Sequence, residues 1–279
     1  MICAWKEFLN ILPEWMRADV DKQGNRTLQE LRLRLGKPPE LVCATHKTLS
    51  GRTVSSVDLN FCLNTASRYS PWASNSIAKG YLTTAGGHRI GICGQTVVQS
   101  DRVQGIRSVS SLCIRVARDL SGISGFLCEK PGSILIIGSP GCGKTTLLRD
   151  LARQIANRRS GSVSVVDERG ELFPLGSGFD TGNRSDVLTG CGKQEGIDIV
   201  LRTMGPSTIA VDEITAEADA DALLRASRCG VDLLATAHAN DLHDLRSRPI
   251  YRKLWDFELF QWVVILRRDK SWTVERVVK

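Results

Sequence analysis

The clearest chemical signal in the sequence is a glycine-rich stretch that ends in a lysine and two threonines. It fits the pattern G-x-x-x-x-G-K-[ST], the phosphate-binding loop of nucleoside triphosphatases. The residues predicted to contact a bound nucleotide are Gly138, Ser139, Pro140, Gly141, Cys142, Gly143, Lys144, Thr145 and Thr146. Glycines let the main chain turn tightly and aim its N–H groups at phosphate oxygens. We expect Lys144 to reach the β- and γ-phosphates of ATP and the Thr145 hydroxyl to bind Mg²⁺.

The residues around this stretch predict the structural setting that the motif requires. Residues 133–137 form an apolar run rich in β-branched side chains, which indicates a buried strand. Residues 144–155 place four leucine and isoleucine side chains on one face of a helix. Strand, glycine loop and helix together favour a true phosphate loop over a chance turn.

A second chemical signal is a pair of acids. Asp212 and Glu213 stand side by side directly after an apolar strand at 207–211. This is the Walker B pattern. We expect Asp212 to hold Mg²⁺, directly or through water, and Glu213 to orient or deprotonate the attacking water. The alternative is that the two acids cap the next helix, whose first turn favours negative charge.

Two more predicted strands end in polar residues, at 167–168 and at 236–238. In a parallel sheet the ligand crevice lies outside the carboxyl ends of the strands, so these ends are expected to meet the phosphate loop. His238 is then predicted to sense the γ-phosphate through a hydrogen bond. Glu168 is a further candidate catalytic residue, and a solvated loop is the alternative for it.

Phosphoryl transfer usually needs an arginine as well, and in a ring of subunits a neighbour can supply it. The first-domain candidates for such a role in trans are Arg89, Arg107, Arg115 and Arg118; the second-domain candidates are Arg202 and Arg225. For any single arginine a solvated surface charge is the simpler interpretation.

The chain has 279 residues, enough for two ordinary domains. Residues 1–128 predict a mixed α+β domain built from hairpins, with a helix over 9–20. Residues 129–279 alternate strands and helices, which predicts a parallel sheet covered on both faces. The expected fold class is therefore α/β, with a smaller α+β domain in front.

Composition and charge limit the metals and macromolecules that are expected as partners. None of the nine cysteines forms C-x-x-C or lies at zinc spacing from a histidine, so free thiols and no zinc are expected. The amphipathic start and the lack of a membrane-spanning apolar run predict a cytoplasmic protein. The net charge of +7 permits a nucleic-acid-binding ATPase as the alternative function, but the basic residues are scattered and no aromatic-rich basic strand is found, which makes nucleic acid an unlikely partner.

Taken together, the motifs resemble those of the stage III sporulation protein AA family of endospore-forming bacteria. The segments that carry the resemblance span nearly the whole chain: 31–39, 87–92 and 110–118 in the first half, and 138–145, 166–171, 209–213 and 235–239 in the second. That family is itself similar to the hexameric ATPases of type II and type IV secretion.

The resemblance implies a RecA-like motor domain working in a hexameric ring with ATP and Mg²⁺. It assigns Asp167 and Glu168 to an acidic box and His238 to a histidine box. It places the protein on the mother-cell side, peripheral to the membrane, with platform component AB and other stage III channel proteins as partners. Secretion ATPases usually carry Gly-Glu where this chain has Asp212-Glu213, and a glycine is expected where residues 214–216 stand.

Overall fold

The computed structural model describes residues 1–49, 51–68, 74–99, 102–174 and 176–277. These residues form two compact units. Unit 1 comprises Met1–Asp119 with Pro174–Phe179, and unit 2 comprises Leu120–Phe173 with Asp180–Lys279. The segment 120–128, grouped with the first domain in the sequence analysis, is thus part of unit 2. The reason is local: the main-chain N–H groups of Gly122 and Ser124 donate to the Asp150 carboxylate at 3.0 and 2.8 Å.

Unit 1 combines short helices with one sheet. Its helices are α1 (Trp5–Asn10), α2 (Glu14–Asp21), α3 (Gly24–Thr27), α4 (Ser56–Ser67) and α5 (Ser74–Ala78). Its strands are β1 (Glu30–Arg34), β2 (Glu40–Val42), β3 (His46–Thr48), β4 (Tyr81–Thr83), β5 (Arg89–Gln99) and β6 (Arg102–Arg115). The sheet order is β3-β2-β1-β6-β5-β4, and every pairing is antiparallel.

The predicted helix over 9–20 is wrong, because Pro13 divides it into α1 and α2. Pro13 has φ −54° and ψ 142°, an extended conformation just before the first residue of α2. Proline has no N–H to donate and disfavours helical geometry in the residue before it. The apolar periodicity is nevertheless real, since Phe8, Met16 and Val20 all lie in the core of unit 1.

Unit 2 is an α/β layer structure. Its helices are α6 (Lys144–Arg158), α7 (Lys193–Thr203), α8 (Glu217–Arg228), α9 (Leu242–Ser247) and α10 (Pro249–Asp256). Its strands are β7 (Ile134–Gly138), β8 (Val163–Asp167), β9 (Ser185–Thr189), β10 (Thr208–Val211), β11 (Asp232–Ala237), β12 (Trp262–Leu266) and β13 (Trp272–Arg276). In the described part of the chain, no helix combines the length and apolarity that crossing a bilayer requires.

The sheet of unit 2 has the order β13-β12-β7-β11-β10-β8-β9. All neighbours are parallel except β12 and β13, which form an antiparallel hairpin at one edge. The predicted α/β class with a parallel sheet is confirmed. Strands β7, β8 and β10 are buried along their whole length, as expected for strands covered on both faces. Their carboxyl ends lie along one edge of the sheet.

Helix α6 follows directly from the phosphate loop and is fixed by a buried ion pair. Its apolar face includes Leu148 and Leu151, which are completely buried. On its other side Arg153, 1% exposed, donates to the carboxylate of Asp150 at 2.8 Å. Burial of Asp150 opposes ionisation, but the hydrogen bonds from Arg153 and Ser124 prevail and lower the pKa of this carboxyl.

A buried histidine in unit 1 binds two segments of the chain that are far apart in sequence. His88 is fully buried, and its Nδ1 accepts the main-chain N–H of Ala117 at 3.1 Å. Nε2 must then carry the hydrogen, which it donates to the main-chain oxygen of Ala4 at 3.0 Å. The ring also meets Phe8 edge-on, with centroids 5.1 Å apart. The neutral ring therefore joins two distant segments of the chain.

We expect unit 1 to lose stability as the pH falls. Burial lowers the pKa of His88 below the ordinary value of 6.5, so below that pH the unfolded chain binds a proton that the folded chain does not. The free energy of unfolding should therefore decrease between about pH 7 and pH 5. Urea unfolding across this range measures it. His88→Gln should flatten the dependence, whereas His243→Gln, at an exposed position, should keep it. An equal slope in His88→Gln and the parent chain would contradict the assignment.

Candidate active site

The phosphate loop connects β7 to α6, as the sequence predicts, and its glycines meet steric requirements. A Cβ atom on residue 138 would overlap the main-chain oxygen of Leu266 and lie 2.7 Å from the Cys142 sulfur. Gly141 and Gly143 have φ values of 76° and 110°, which other residues rarely adopt. The loop therefore owes its shape to these three positions, and the main chain approaches β12 closely at Gly138.

Lys144 fills the inside of this loop. Its ammonium donates to the main-chain oxygens of Gly138 and Ser139, at 2.8 and 3.1 Å. The residue is only 7% exposed, and this burial lowers the pKa of the ammonium, against the opposing charges of Cys142, Asp212 and Glu213. A cation held in this way among neutral oxygens is well placed to exchange them for an anionic phosphate.

A chain of hydrogen bonds runs from Lys144 to the acid of the Walker B pattern. The Lys144 ammonium lies 3.1 Å from Nδ1 of His238, and Nε2 of His238 lies 3.0 Å from a carboxylate oxygen of Glu213. An ammonium can only donate, so Nδ1 accepts and Nε2 donates its hydrogen to Glu213. The structure thus brings all three predicted residues into one connected arrangement, with the histidine in the middle.

A second set of contacts joins the predicted metal-binding residues. The Thr145 hydroxyl donates to one oxygen of Asp212 at 2.7 Å, and the Thr236 hydroxyl donates to the other at 2.5 Å. Over the described ranges, no group of three His, Cys, Asp or Glu side chains has the arrangement of a metal site. Thr145 and Asp212 nevertheless fit Mg²⁺, which prefers oxygen ligands and uses few protein groups together with phosphates and waters.

Thr236 was identified in the sequence only as a strand end, and the structure gives it a larger part. Glu213 has φ 53°, in the left-handed region, which costs a non-glycine residue about 1–3 kcal/mol. Its main-chain N–H donates to the Thr236 hydroxyl at 2.8 Å, and the N–H of Ile214 donates to the Thr236 carbonyl at 2.9 Å. Strand β11 thereby holds the turn that aims Glu213. Residues 214–216, where a glycine was expected, all have negative φ, so the turn needs no glycine there.

Tyr251, on α10, was missed by sequence reasoning. Its buried hydroxyl donates to the carbonyl of Ile214 at 3.1 Å and accepts the N–H of His238 at 3.3 Å. It therefore bridges the turn after β10 and the turn after β11. No sequence motif marks this tyrosine, because its position depends on how α10 packs against the sheet.

The two acids at the end of β8, Asp167 and Glu168, make different contacts. Asp167 accepts the main-chain N–H groups of Glu171, Leu172 and Phe173 at 2.8 to 2.9 Å. Burial raises the pKa of this carboxyl despite those bonds. Asp167 therefore shapes the loop that follows β8, and this structural contact accounts for the aspartate of the proposed acidic box.

Glu168 lies beside the Walker B acids rather than in an open solvated loop. Its carboxylate pairs with Lys193 at 2.6 Å, and the Lys193 side chain is almost buried. The next residue, Arg169, lies 3.9 Å from Glu213. These side chains line one depression together with Asp212. Glu168 is thus brought to the site, with its charge balanced by a lysine from the start of α7.

The candidate arginines of unit 1 differ in their local contacts. Arg115 forms an ion pair with Glu30 at 3.0 Å, and Arg118 donates to the main-chain oxygens of Asn25 and Leu28. Arg89 lies 5.7 Å from the Tyr81 ring centroid, and Arg107, on an exposed stretch of β6, donates to Gln95 at 3.2 Å. All four therefore have contacts within unit 1, and Arg115 and Arg118 are the two bound to a carboxylate or to main-chain oxygens. In unit 2, Arg202 and Arg225 both bind Asp198, one at its main chain and the other at its carboxylate.

Comparison with solved structures finds proteins that share this fold. The ATPase DotB of Legionella pneumophila is 16% identical, with a TM-score of 0.61, over 95% of this chain and 80% of DotB. The pilus retraction motor PilT, solved with ADP, is also 16% identical, with a TM-score of 0.57, over 89% of this chain and 76% of PilT. At this identity the likeness establishes a shared fold.

Comparison of sequences establishes the family. Stage III sporulation protein AA of Bacillus subtilis (strain 168) is 35% identical over 281 residues, which cover 95% of this chain and 92% of that protein. The family model described as "Sporulation stage III, protein AA" matches residues 6–277. The resemblance seen in the motifs is therefore confirmed, and the chain belongs to the family of stage III sporulation protein AA.

Proposed function

We propose that this protein is a Mg²⁺-dependent ATPase that energises a membrane-bound assembly. The observation that carries the proposal is the hydrogen-bonded chain Lys144–His238–Glu213 beside the Thr145–Asp212 pair. A phosphate-binding cation, a candidate general base and two magnesium-binding oxygens are thereby assembled at one edge of the sheet. Such an arrangement of groups has the positions that phosphoryl transfer from ATP to water requires.

Each residue has a distinct part in the proposed reaction. The main-chain N–H groups of the phosphate loop and the start of α6 bind the phosphate oxygens, and Lys144 turns from its carbonyl partners to the β- and γ-phosphates. Thr145 and Asp212 hold the metal, which when bound offsets the charge on the phosphates. Glu213 accepts the proton of the attacking water. His238 reports on the phosphate, because its partner Lys144 changes partners when phosphate binds.

We further infer that the protein acts as a hexameric ring in endospore formation. The support is its family, together with a fold shared with DotB and PilT, which are named an ATPase and a motor. The ring would lie on the mother-cell side, peripheral to the membrane, under the channel that joins the mother cell to the forespore. Its partners would be the platform protein AB and the other stage III channel proteins.

Replacing the proposed base should separate binding from hydrolysis. Glu213→Gln keeps the size and the hydrogen-bonding capacity toward His238 but cannot accept a proton, so we expect ATP to bind as before while turnover falls by about 10²-fold or more. Lys144→Ala should instead abolish ATP binding and keep the fold. Phosphate release and ATP titration, with the membrane partner present, measure the two effects. Glu275→Gln, an exposed position on β13, is the matched control.

A turnover in the parent chain no faster than in Glu213→Gln would contradict the motor and would favour a scaffold that binds ATP without using it. Loss of folded structure in Lys144→Ala would show that the lysine is needed for stability rather than for phosphate.

Removing the Thr236 hydroxyl should disturb Asp212 and Glu213 together. Thr236→Val leaves one carboxylate oxygen and one main-chain N–H without this partner, so we expect a loss of about 1–3 kcal/mol in the free energy of unfolding and slower turnover. Urea unfolding and phosphate release measure both. Ser164→Ala is the control, because the Ser164 hydroxyl is buried in β8 and makes no hydrogen bond to any described residue. Unchanged stability and turnover in Thr236→Val would rule out this positioning role.

If an arginine acts in trans, mixed rings should recover activity. Arg107 is the leading candidate, because it lies on an exposed stretch of β6 and contacts a neutral side chain, whereas Arg115 and Arg118 bind a carboxylate or main-chain oxygens. Arg107→Ala and Glu213→Gln should each be inactive alone. Mixed together, they should regain part of the activity, since an intact catalytic site then meets an intact arginine. Phosphate release from the mixture measures this, with exposed Arg26→Ala as the control. Absence of recovery with substitutions at all four candidate positions would refute action in trans.

A further inference from the structure

Two aromatic side chains in unit 2 stack beside the phosphate-loop edge of the sheet. The rings of Phe126 and Trp272 are 3.9 Å apart between centroids and nearly parallel, at 14°. Phe126 belongs to the segment that leads into β7, and Trp272 is the first residue of β13. Phe126 remains 37% exposed, so the pair is partly accessible to solvent. An exposed stack of this kind offers a face on which another flat ring can lie.

The strand register fixes where this stack lies. Trp272 pairs with Leu266 across the β12–β13 hairpin, and Leu266 pairs with Gly138, the first residue of the phosphate loop. Two steps between neighbouring strands are about 10 Å. The segment of Phe126 is held to α6, since Ser124 donates to Asp150 from both its main chain and its hydroxyl, at 2.8 and 2.7 Å. Both rings are thus fixed near the residues that bind phosphate, at a distance that a nucleoside triphosphate can span.

The turn of the same hairpin adds a positive charge to the phosphate loop. The Lys270 ammonium donates to the main-chain oxygen of Gly141 at 2.8 Å. The one acid of this turn, Asp269, is used internally, because both the N–H and the hydroxyl of Ser271 donate to its carboxylate at 2.9 and 2.6 Å. Lys270 therefore reaches the loop from the side opposite to β11, the strand that carries His238.

We propose that the C-terminal hairpin completes the site as a nucleoside subsite, in which the base stacks on Phe126 and Trp272 and Lys270 contacts the phosphates. This inference rests on the proposed ATPase function and adds where the base of the nucleotide lies. The catalytic acids lie on one side of β7, at the ends of β10 and β11, and the aromatic pair lies on its other side, past β12. An extended nucleotide bound across β7 would have its γ-phosphate at Glu213 and its base at Phe126.

A nucleoside subsite should distinguish ligands with a base from ligands without one, whereas a purely structural stack should not. ATP has a base, whereas inorganic tripolyphosphate has only the phosphates. With Mg²⁺ present and calorimetry as the measurement, Phe126→Ala should weaken ATP by about 5- to 100-fold and change tripolyphosphate by no more than about twofold. Lys270→Gln should weaken both ligands. Phe257→Ala is the matched control, since Phe257 is an exposed phenylalanine of unit 2 that follows α10, and it should bind both ligands as the parent does.

A second measurement does not depend on the folding of the alanine variant. Stacking of a base should change the fluorescence of Trp272, so ATP should alter the tryptophan emission of the parent chain and tripolyphosphate should not. Trp272→Phe keeps an aromatic ring and should lose this change. Equal ATP binding by Phe126→Ala and the parent, equal weakening of both ligands in Phe126→Ala, or an unaltered ATP signal in Trp272→Phe would each overturn the subsite while the ATPase proposal stands. A parent chain that binds neither ligand would overturn both proposals.

Discussion

The buried pair Asp150–Arg153 on α6 is the interaction on which the packing of several loop segments against this helix of unit 2 depends. Arg153 donates to the carbonyls of Leu120 and Asp180 at 2.7 and 3.2 Å, and the preceding Arg149 donates to the carbonyls of residues 171 and 172. One helix of unit 2 therefore holds the chain at residues 120, 171–172 and 180. Removing one partner of such a buried pair costs about 3–5 kcal/mol, because the other charge is left uncompensated. Since α6 begins at the phosphate loop, these contacts also hold the helix that follows the loop.

At the other end of α6, two hydrogen-bonded sets converge on neighbouring residues of one turn. Lys144 reaches Glu213 through His238, and Thr145 reaches Asp212 directly. Thr236 holds both acids and thereby ties the end of β10 to β11. These bonds stabilise the left-handed conformation of Glu213. The position of its carboxylate therefore depends on the register of β10 and β11. Lys144, His238 and Glu213 thus connect the phosphate loop to the acid through side chains alone.

The parts that the sequence predicted are those set by local pattern. The phosphate loop, the strands that end at Gly138 and Val211 and the α/β class follow from glycine spacing and apolar runs, and the class is confirmed. Strand β9, at Ser185–Thr189, escaped because its residues are all partly exposed and show no alternation. Tyr251 and Lys270 escaped for another reason: each reaches the site from an element far along the chain, so only tertiary packing brings it there. Asp167 shows the converse, since a motif position predicted beside the nucleotide has its carboxylate bound to the main chain of its own loop.

Two histidines, His88 fully buried and His238 half-buried, show that the partners of a side chain, rather than its residue type, decide what it can do. His88 has main-chain groups on both ring nitrogens, and neither group can change its charge or leave without unfolding. His238 has a lysine on one nitrogen and a glutamate on the other, and both are side chains that a ligand can attract. In the proposed reaction Lys144 turns to a phosphate, so that Nδ1 of His238 loses its donor and the ring is free to rotate. The first histidine is therefore fixed in the neutral form by the fold, while the second remains coupled to whatever occupies the phosphate loop.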